Sequence, residues 1–316
     1  MARRVQNVCQ KAIGFLDDPS ENAHGVADWL AQSLTDTRKE PTMTAAEVLP
    51  AAMERLWREG GDAISTGIAE LDHITDGGMR AKELWVIGSQ PSGGKSSLCR
   101  QIERAVLTQG VGVHSHSIEV PKEDWVLFNV AHLAQIEAWR LRRAWKMNTM
   151  EKERMTKAAR KVHEWPHVID DSGSVHINQL IARSRQSRIK HGTLVHTIDY
   201  LQMIDGDQRE ERHKITHICK SLKQFSKDQN CTVILLSQMA RQGDINARPT
   251  MQHLKESGGI EAAADVILLN YRPKDTQTET YTGEDEVIIA KQRNGAIGKM
   301  EMVYNPNTLT FDRRTQ

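Results

Sequence analysis

The segment Ser89-Gln90-Pro91-Ser92-Gly93-Gly94-Lys95-Ser96 constrains the fold more than any other part of this chain. It follows a short apolar run at residues 84–88 and precedes residues 97–109. There Leu98, Ile102, Ala105 and Val106 fall on one helical face, and Gly110 supplies a stop. A glycine-rich turn between a strand and a helix, ending in Gly-Lys-Ser, matches the second glycine, the lysine and the serine of the pattern G-x-x-x-x-G-K-[ST]. Such a turn curls backbone N–H groups around phosphate oxygens at a helix N-terminus. Gly93 and Gly94 allow the close approach, Lys95 is suited to neutralising β- and γ-phosphates, and Ser96 to holding Mg²⁺. Ser89, Pro91, Ser92 and Ser97 complete the candidate ATP-binding set; Ser89 stands where the pattern has its first glycine, with Gly88 just before it. The plain alternative is a glycine-rich turn that only caps a helix.

The rest of the chain supplies the context this loop needs. Short apolar runs at 111–118, 193–199, 231–238 and 264–271 alternate with helical stretches at 122–163 and 210–229. In the latter, Ile215, Ile218, Leu222 and Phe225 fall at helical spacing. Continuous apolar strands between helices predict an α/β fold with a mainly parallel sheet covered on both faces. Residues 286–293 and 299–305 alternate around Asn294-Gly295, which predicts a C-terminal β-hairpin. Residues 272–284 are polar and read as a surface loop. Residues 1–60 read as a helical N-terminal segment, with Thr44 as a cap and Val48, Leu49, Met53, Leu56 and Trp57 on one stripe. The composition changes after Gly60-Gly61, which places a domain boundary there and assigns 61–316 to the NTPase domain. A helix with one apolar stripe must pack on its own domain or on a neighbouring subunit.

Bulk properties exclude several classes. A net charge of +1 over 316 residues rules out a globally basic nucleic-acid binder, so any such surface is local. Cys9, Cys99, Cys219 and Cys231 are scattered, with no C-x-x-C pair, which fits a reducing, cytoplasmic location rather than a disulfide or zinc-cysteine scaffold. There is no signal-peptide pattern and no membrane-length apolar run.

Four further positions are candidates for chemistry. Asp199 ends an apolar strand and is placed to join the Mg²⁺ shell, or to cap the next turn. Glu119 ends another strand, where a carboxylate can polarise an attacking water; a surface glutamate is the default. Gln238 ends a third and could sense a γ-phosphate, or be a simple polar strand end. Lys291 and Arg293 share side-chain parity beside the hairpin, suiting an arginine finger as well as a solvated basic edge. His196, inside its strand, reads as a packed histidine rather than a ligand.

Taken in order, Ser65-Thr66-Gly67-Ile68…Leu71-Asp72, the phosphate loop, Ser117-Ile118-Glu119, Ile198-Asp199-Tyr200-Leu201-Gln202, Leu236-Ser237-Gln238, Lys255-Glu256-Ser257-Gly258 and Ala290-Lys291-Gln292-Arg293-Asn294-Gly295 make a specific series. It resembles the RecA-like motor domain of the bacterial and phage replicative DNA helicases, the DnaB family, over roughly residues 44–312. The last two segments and Asp-Tyr-Leu-Gln are far more specific than the phosphate loop. The resemblance implies Lys95 and Ser96 on phosphate and Mg²⁺, Glu119 as catalytic base, Asp199 as metal acid and Gln238 as γ-phosphate sensor. It implies Lys291 and Arg293 as cations supplied in trans, and Lys255, Glu256 and Gly258 as a loop on single-stranded DNA phosphates. It further implies a homo-oligomer, six subunits by family, with a linker helix near 44–59 docking on its neighbour, 5′-to-3′ travel, and a helicase loader or primase as partner. Ser89 for glycine and Lys255 for arginine are departures; lysine keeps the charge but loses a bidentate fork. Family members carry a helical domain ahead of the linker. The roughly 60 residues here resemble its end and the linker, as in a shortened phage or mobile-element version. Two other readings stay open: a DNA-dependent RecA-like ATPase without unwinding, and a nucleotide-gated assembly or partner-binding module.

Overall fold

The computed structural model describes residues 42–57, 61–240, 246–254 and 256–314. The helical reading of 1–41 and 58–60, Cys9 and the candidate Lys255 lie outside the described residues. Contacts group Met1–Gly61 with Asn178–Arg183 in one unit and Asp62–Ile177 with Ser184–Gln316 in a second.

In the first unit, α1 (Ala45–Leu56) starts at Thr44 as its sequence suggests. The Glu47 N–H donates to Thr44 Oγ1, while Thr44 N and Oγ1 both donate to the Glu47 carboxylate, at 2.7 and 2.9 Å. This reciprocal cap satisfies donors that a bare helix start leaves open. Val48, Leu49, Leu56 and Trp57 on its stripe are exposed.

The second unit begins with α2 (Ala69–Ile74) and β1 (Leu84–Ser89), followed by α3 (Lys95–Thr108) and β2 (Val113–Ser117). Next come α4 (Lys122–Leu133), a 3₁₀ segment (Ala138–Lys146), α5 (Thr149–His163), β3 (His167–Asp170) and β4 (Val175–His176). Then come α6 (Ile177–His191), of which Asn178–Arg183 group with the first unit, β5 (Val195–Asp199), β6 (Ile204–Asp205), α7 (Glu211–Gln229) and β7 (Thr232–Gln238). The chain closes with α8 (Ser257–Ala263), β8 (Val266–Tyr271), β9 (Asp285–Gln292), β10 (Gly298–Asn305) and β11 (Thr310–Arg313).

Among the described residues nine strands form one sheet in the order β11-β10-β9-β8-β1-β7-β5-β2-β3. The six strands from β8 to β3 run parallel, and β9 to β11 add an antiparallel meander at one edge. The expected hairpin is therefore β9–β10. The central β1 is buried along its whole length, with Trp85 and Ile87 packed on Leu98, Ile102 and Val106 of α3. Central strands of a sheet covered by helices on both faces have no solvent face, which is why β1, β7 and β8 read as nearly unbroken apolar runs.

The stretch 122–163 is mostly helical as expected, divided into two helices and a 3₁₀ segment: Gln135 takes φ +54° and Asn148 begins a new helix with a capping box to Glu151. One expectation is corrected and one strand is added. The strand at 111–118 is shorter, so Glu119 lies past the end of β2 rather than at its last residue. The segment 167–170, unassigned from sequence, is the edge strand β3, parallel to β2.

Candidate functional site

The phosphate loop bridges β1 and α3 as its spacing requires. The Gly93 N–H donates to the Gln90 carbonyl at 2.9 Å, and Ser92 and Gly94 both adopt positive φ, +61° and +85°. Gly94 is the residue just before the helix, and a Cβ there would stand 2.7 Å from the Phe311 ring. Position 94 thus demands glycine twice, for backbone conformation and for space. We expect Gly94→Ala to weaken nucleotide binding by about tenfold or more, since left-handed backbone strain of order 1–2 kcal/mol adds to the clash. Equilibrium titration with a fluorescent nucleotide measures it, and an unchanged dissociation constant would refute the geometry.

The departure at Ser89 costs little. It is the last residue of β1, fully buried, and its hydroxyl donates to the Gln90 carbonyl at 2.8 Å. Pro91 lines the cleft over the loop, and Ser97 Oγ lies 3.2 Å from the Tyr304 hydroxyl.

Four of the expected residues converge. Lys95 Nζ is 2.8 Å from Asp199 Oδ1 and 3.8 Å from Glu119 Oε2. Ser96 Oγ donates to the other Asp199 oxygen at 2.5 Å. Asp199 is nearly inaccessible while Glu119 is more than half exposed, so one carboxylate is fixed and the other faces solvent. The hydroxyl and carboxylate side by side are hard oxygen donors, a set that fits Mg²⁺. Gln238 ends β7 opposite Ser89 in the sheet register. Its backbone is clamped by Gln202, whose Oε1 accepts from the Gln238 N–H at 3.2 Å and whose Nε2 donates to the Gln238 carbonyl at 3.3 Å.

Other side chains around the loop escaped the sequence reading. Tyr200 lies under the Lys95 ammonium, 4.4 Å from ring centroid to nitrogen. Arg272 lies between the rings of Tyr281 and Tyr304 at 3.9 and 4.0 Å, pairs with Asp285 at 3.2 Å and donates to the Ser92 carbonyl. Tyr281, in the stretch read as a surface loop, donates to the same carbonyl at 3.2 Å. Tyr200 and Gln202 fall inside a quoted motif and could have been found from it; nothing local marks Arg272 or Tyr281.

Lys291 and Arg293 are not brought to this centre. The Arg293 N–H donates to the Asp265 carbonyl and the Asp265 N–H to the Leu84 carbonyl, so Arg293 stands at the start of β1. The phosphate loop follows its other end, about 17 Å away at 3.3 Å per residue. That span exceeds an arginine's reach. Lys291 Nζ donates to the carbonyls of Glu261 and Ala264, and Arg293 Nη2 to that of Ala262, all at the C-terminal end of α8. Burial first, then the neighbouring Arg293, lower the Lys291 pKa. Glu256, with φ +56°, and Gly258 lie at the other end of this seven-residue helix.

A parallel sheet with a phosphate loop after its central strand β1, and an acid at the end of β5, one strand beyond the neighbouring β7, defines a RecA-like NTPase core. The chain matches the family DnaB-like helicase C terminal domain over residues 63–313 and belongs to it. It is 30% identical over 264 residues to the replicative DNA helicase DnaB of Geobacillus stearothermophilus, covering 80% of this chain and 57% of that protein. It is equally similar to the replicative DNA helicase DnaC of Bacillus subtilis, 30% over 266 residues with the same coverage. The chain thus spans a little over half the length of these curated relatives. A solved ATPase domain at 25% identity superposes with a TM-score of 0.79, over 87% of this chain and all of its own length. A DnaB-like replicative helicase, solved in a study of its interactions with primase, shares the fold at 22% identity. Its TM-score is 0.82, over 99% of this chain and 76% of that one.

Proposed function

We propose that this chain is an ATP-driven DNA helicase motor, in which residues 61–316 hydrolyse ATP and residues 1–60 link subunits. The observation that carries this reading is the split arrangement just described: Lys95, Ser96, Glu119 and Asp199 meet at one end of β1, and Arg293 stands at the other. An active site completed by a neighbour's cations makes assembly part of the chemistry. A homo-oligomeric ring of six subunits around single-stranded DNA fits both the family and the near-neutral net charge, because a few cations per subunit repeat around a channel.

In this mechanism the loop N–H groups and Lys95 bind the β- and γ-phosphates, and Lys95 exchanges its Asp199 partner for phosphate oxygens. Ser96 and Asp199 would hold Mg²⁺. The ion, when bound, neutralises charge on the phosphate oxygens. Glu119 accepts a proton from the attacking water as its oxygen bonds to the γ-phosphorus, the bond to the bridging oxygen breaks, and ADP and phosphate form. Gln238, held by Gln202, senses whether the γ-phosphate is present. Lys291 and Arg293 of one subunit stabilise transition-state charge in the next. Because α8 carries Glu256 and Gly258 at one end and holds Lys291 and Arg293 through its carbonyls at the other, hydrolysis at an interface moves the DNA loop as one piece with the finger. Lys255 in that loop grips the strand through phosphates, which carries little sequence preference. The exposed apolar stripe of α1 suits docking on an adjacent subunit, and a loader or primase is the expected protein partner.

The deciding experiment measures ATP hydrolysis and forked-duplex unwinding with and without single-stranded DNA. We expect Glu119→Gln to abolish turnover, by about a thousandfold, with nucleotide affinity retained, as removal of a general base should. Absence of DNA-stimulated hydrolysis by the wild type at any protein concentration would defeat the motor reading. Hydrolysis without strand separation would leave only a DNA-dependent ATPase.

A further inference from the structure

The face of the sheet opposite the phosphate loop carries three histidines on two adjacent strands. His114 and His116 share a face of β2 because side chains alternate along a strand, and His196 of β5 is the register partner of His114. All three are buried, at 2%, 3% and 1% exposure. The same alternation turns Asp199 the other way, toward Lys95 and Ser96, so the cluster is separate from the nucleotide centre. Each histidine offers a ring nitrogen such that the three atoms lie within 4.8 Å of one another. The rings of His114 and His116 are 4.1 Å apart and those of His114 and His196 5.6 Å.

Packing alone gives no reason for this set. On the same face of β5, Ile198 is almost fully buried, and an apolar side chain there would leave nothing unsatisfied, while His196 meets the Phe225 ring edge-on at 5.1 Å. Instead, Nδ1 of His114 and Nδ1 of His196 are buried without a hydrogen-bond partner. Buried polar atoms without partners are rare and call for an explanation. The opposite nitrogens of two rings are held: His196 Nε2 is 3.4 Å from the Thr193 hydroxyl and His116 Nε2 is 2.8 Å from that of Ser184. If these Nε2 atoms donate, the lone pairs of their Nδ1 atoms point elsewhere, as in metal-ligating histidines whose far nitrogen is fixed by a second partner. Asp170 Oδ2 is 3.7 Å from His116 Nδ1, which puts a carboxylate at the edge of the three-histidine cluster.

We propose that His114, His116 and His196, with Asp170 as the fourth ligand, form a structural zinc site that ties β2 to β5. Three imidazoles and a carboxylate suit a tetrahedral borderline cation, and bonds of about 2.0–2.1 Å need nitrogens about 3.4 Å apart. From spacings of up to 4.8 Å, binding would draw the histidine nitrogens inward and swing the Asp170 carboxylate in from beside His116. The site would clamp together the two strands whose ends lead to Glu119 and Asp199, while leaving the oxygen-ligated Mg²⁺ site to a harder ion.

The test uses the full chain without an affinity tag, stripped with a chelator and then titrated with Zn²⁺ and, separately, Co²⁺. We expect one tight equivalent per chain, a higher thermal midpoint with zinc, and the visible bands of four-coordinate cobalt. His196→Ile and His114→Leu should each lose that equivalent and the bands, with nucleotide affinity within about twofold of wild type. Weak binding of several equivalents with six-coordinate cobalt spectra, the behaviour of exposed histidines, would overturn the proposal; so would retention of the tight equivalent in folded variants. Should both variants fail to fold, the wild-type cobalt spectrum and stoichiometry decide.

Discussion

Replacing Arg293 with alanine should lower DNA-stimulated ATP turnover by about a thousandfold or more, the usual worth of an arginine finger. Affinity for nucleotide should change little, because Arg293 stands at the start of β1 and the phosphate loop follows its end. The fold should also survive. Arg293 approaches Asp265 only at 3.7 Å, and that carboxylate keeps Lys223 at 2.5 Å and the Leu84 N–H at 2.7 Å. The stronger form of the experiment mixes Arg293→Ala with Lys95→Ala, each inactive alone. At an interface that pairs an Arg293→Ala loop with a Lys95→Ala finger, one site has both its lysine and its arginine, so part of the activity should return. Failure of any ratio to restore activity, with co-assembly verified by mass, would show that Arg293 does not act across a subunit boundary.

Stability should fall steeply in mild acid when chelator is present. Burial lowers the pKa of His114, His167 and His196, the latter two to about 4 and about 3, against an unfolded value near 6.5. A depressed folded-state pKa means that the unfolded chain binds the proton first. Stability is therefore whole above pH 6.5 and is lost as pH falls toward 4. Each histidine contributes a slope of up to about 1.4 kcal/mol per pH unit, so three give roughly 4 kcal/mol per unit. By pH 5 the loss is about 6 kcal/mol, comparable to the whole stability of many domains. Urea midpoints recorded from pH 7.5 to 4.5 measure this directly. A midpoint that stays level between pH 7 and pH 5 would refute it, and His114→Leu with His196→Ile should remove about two-thirds of the slope.

The α/β class, the phosphate loop, the cap at Thr44 and the β9–β10 hairpin were legible because each is a local signal. Chain spacing, turn chemistry and unbroken apolar runs do not need distant partners. The same holds for Asp199 and Gln238, which stand at the ends of apolar strands. Residues 122–163 show their helical content in the sequence but not its division, because the helical period continues on both sides of Gln135; the Asn148-x-x-Glu151 box is the local signal of the new start. β3 was missed because four half-buried residues at a sheet edge carry too little pattern.

Other features exist only through the pairing of strands far apart in sequence. That Arg293 and Lys95 lie at opposite ends of β1 follows from β8 pairing with β1 and β9 folding back on β8. That Arg272 closes on Ser92, and that His114 meets His196, depends likewise on contacts across many residues. The sequence by itself determined which residues can bind a phosphate and which strands can be buried. The tertiary structure decided which of them share a site, because strand order and register are set by the joint packing of all the elements rather than by any one segment.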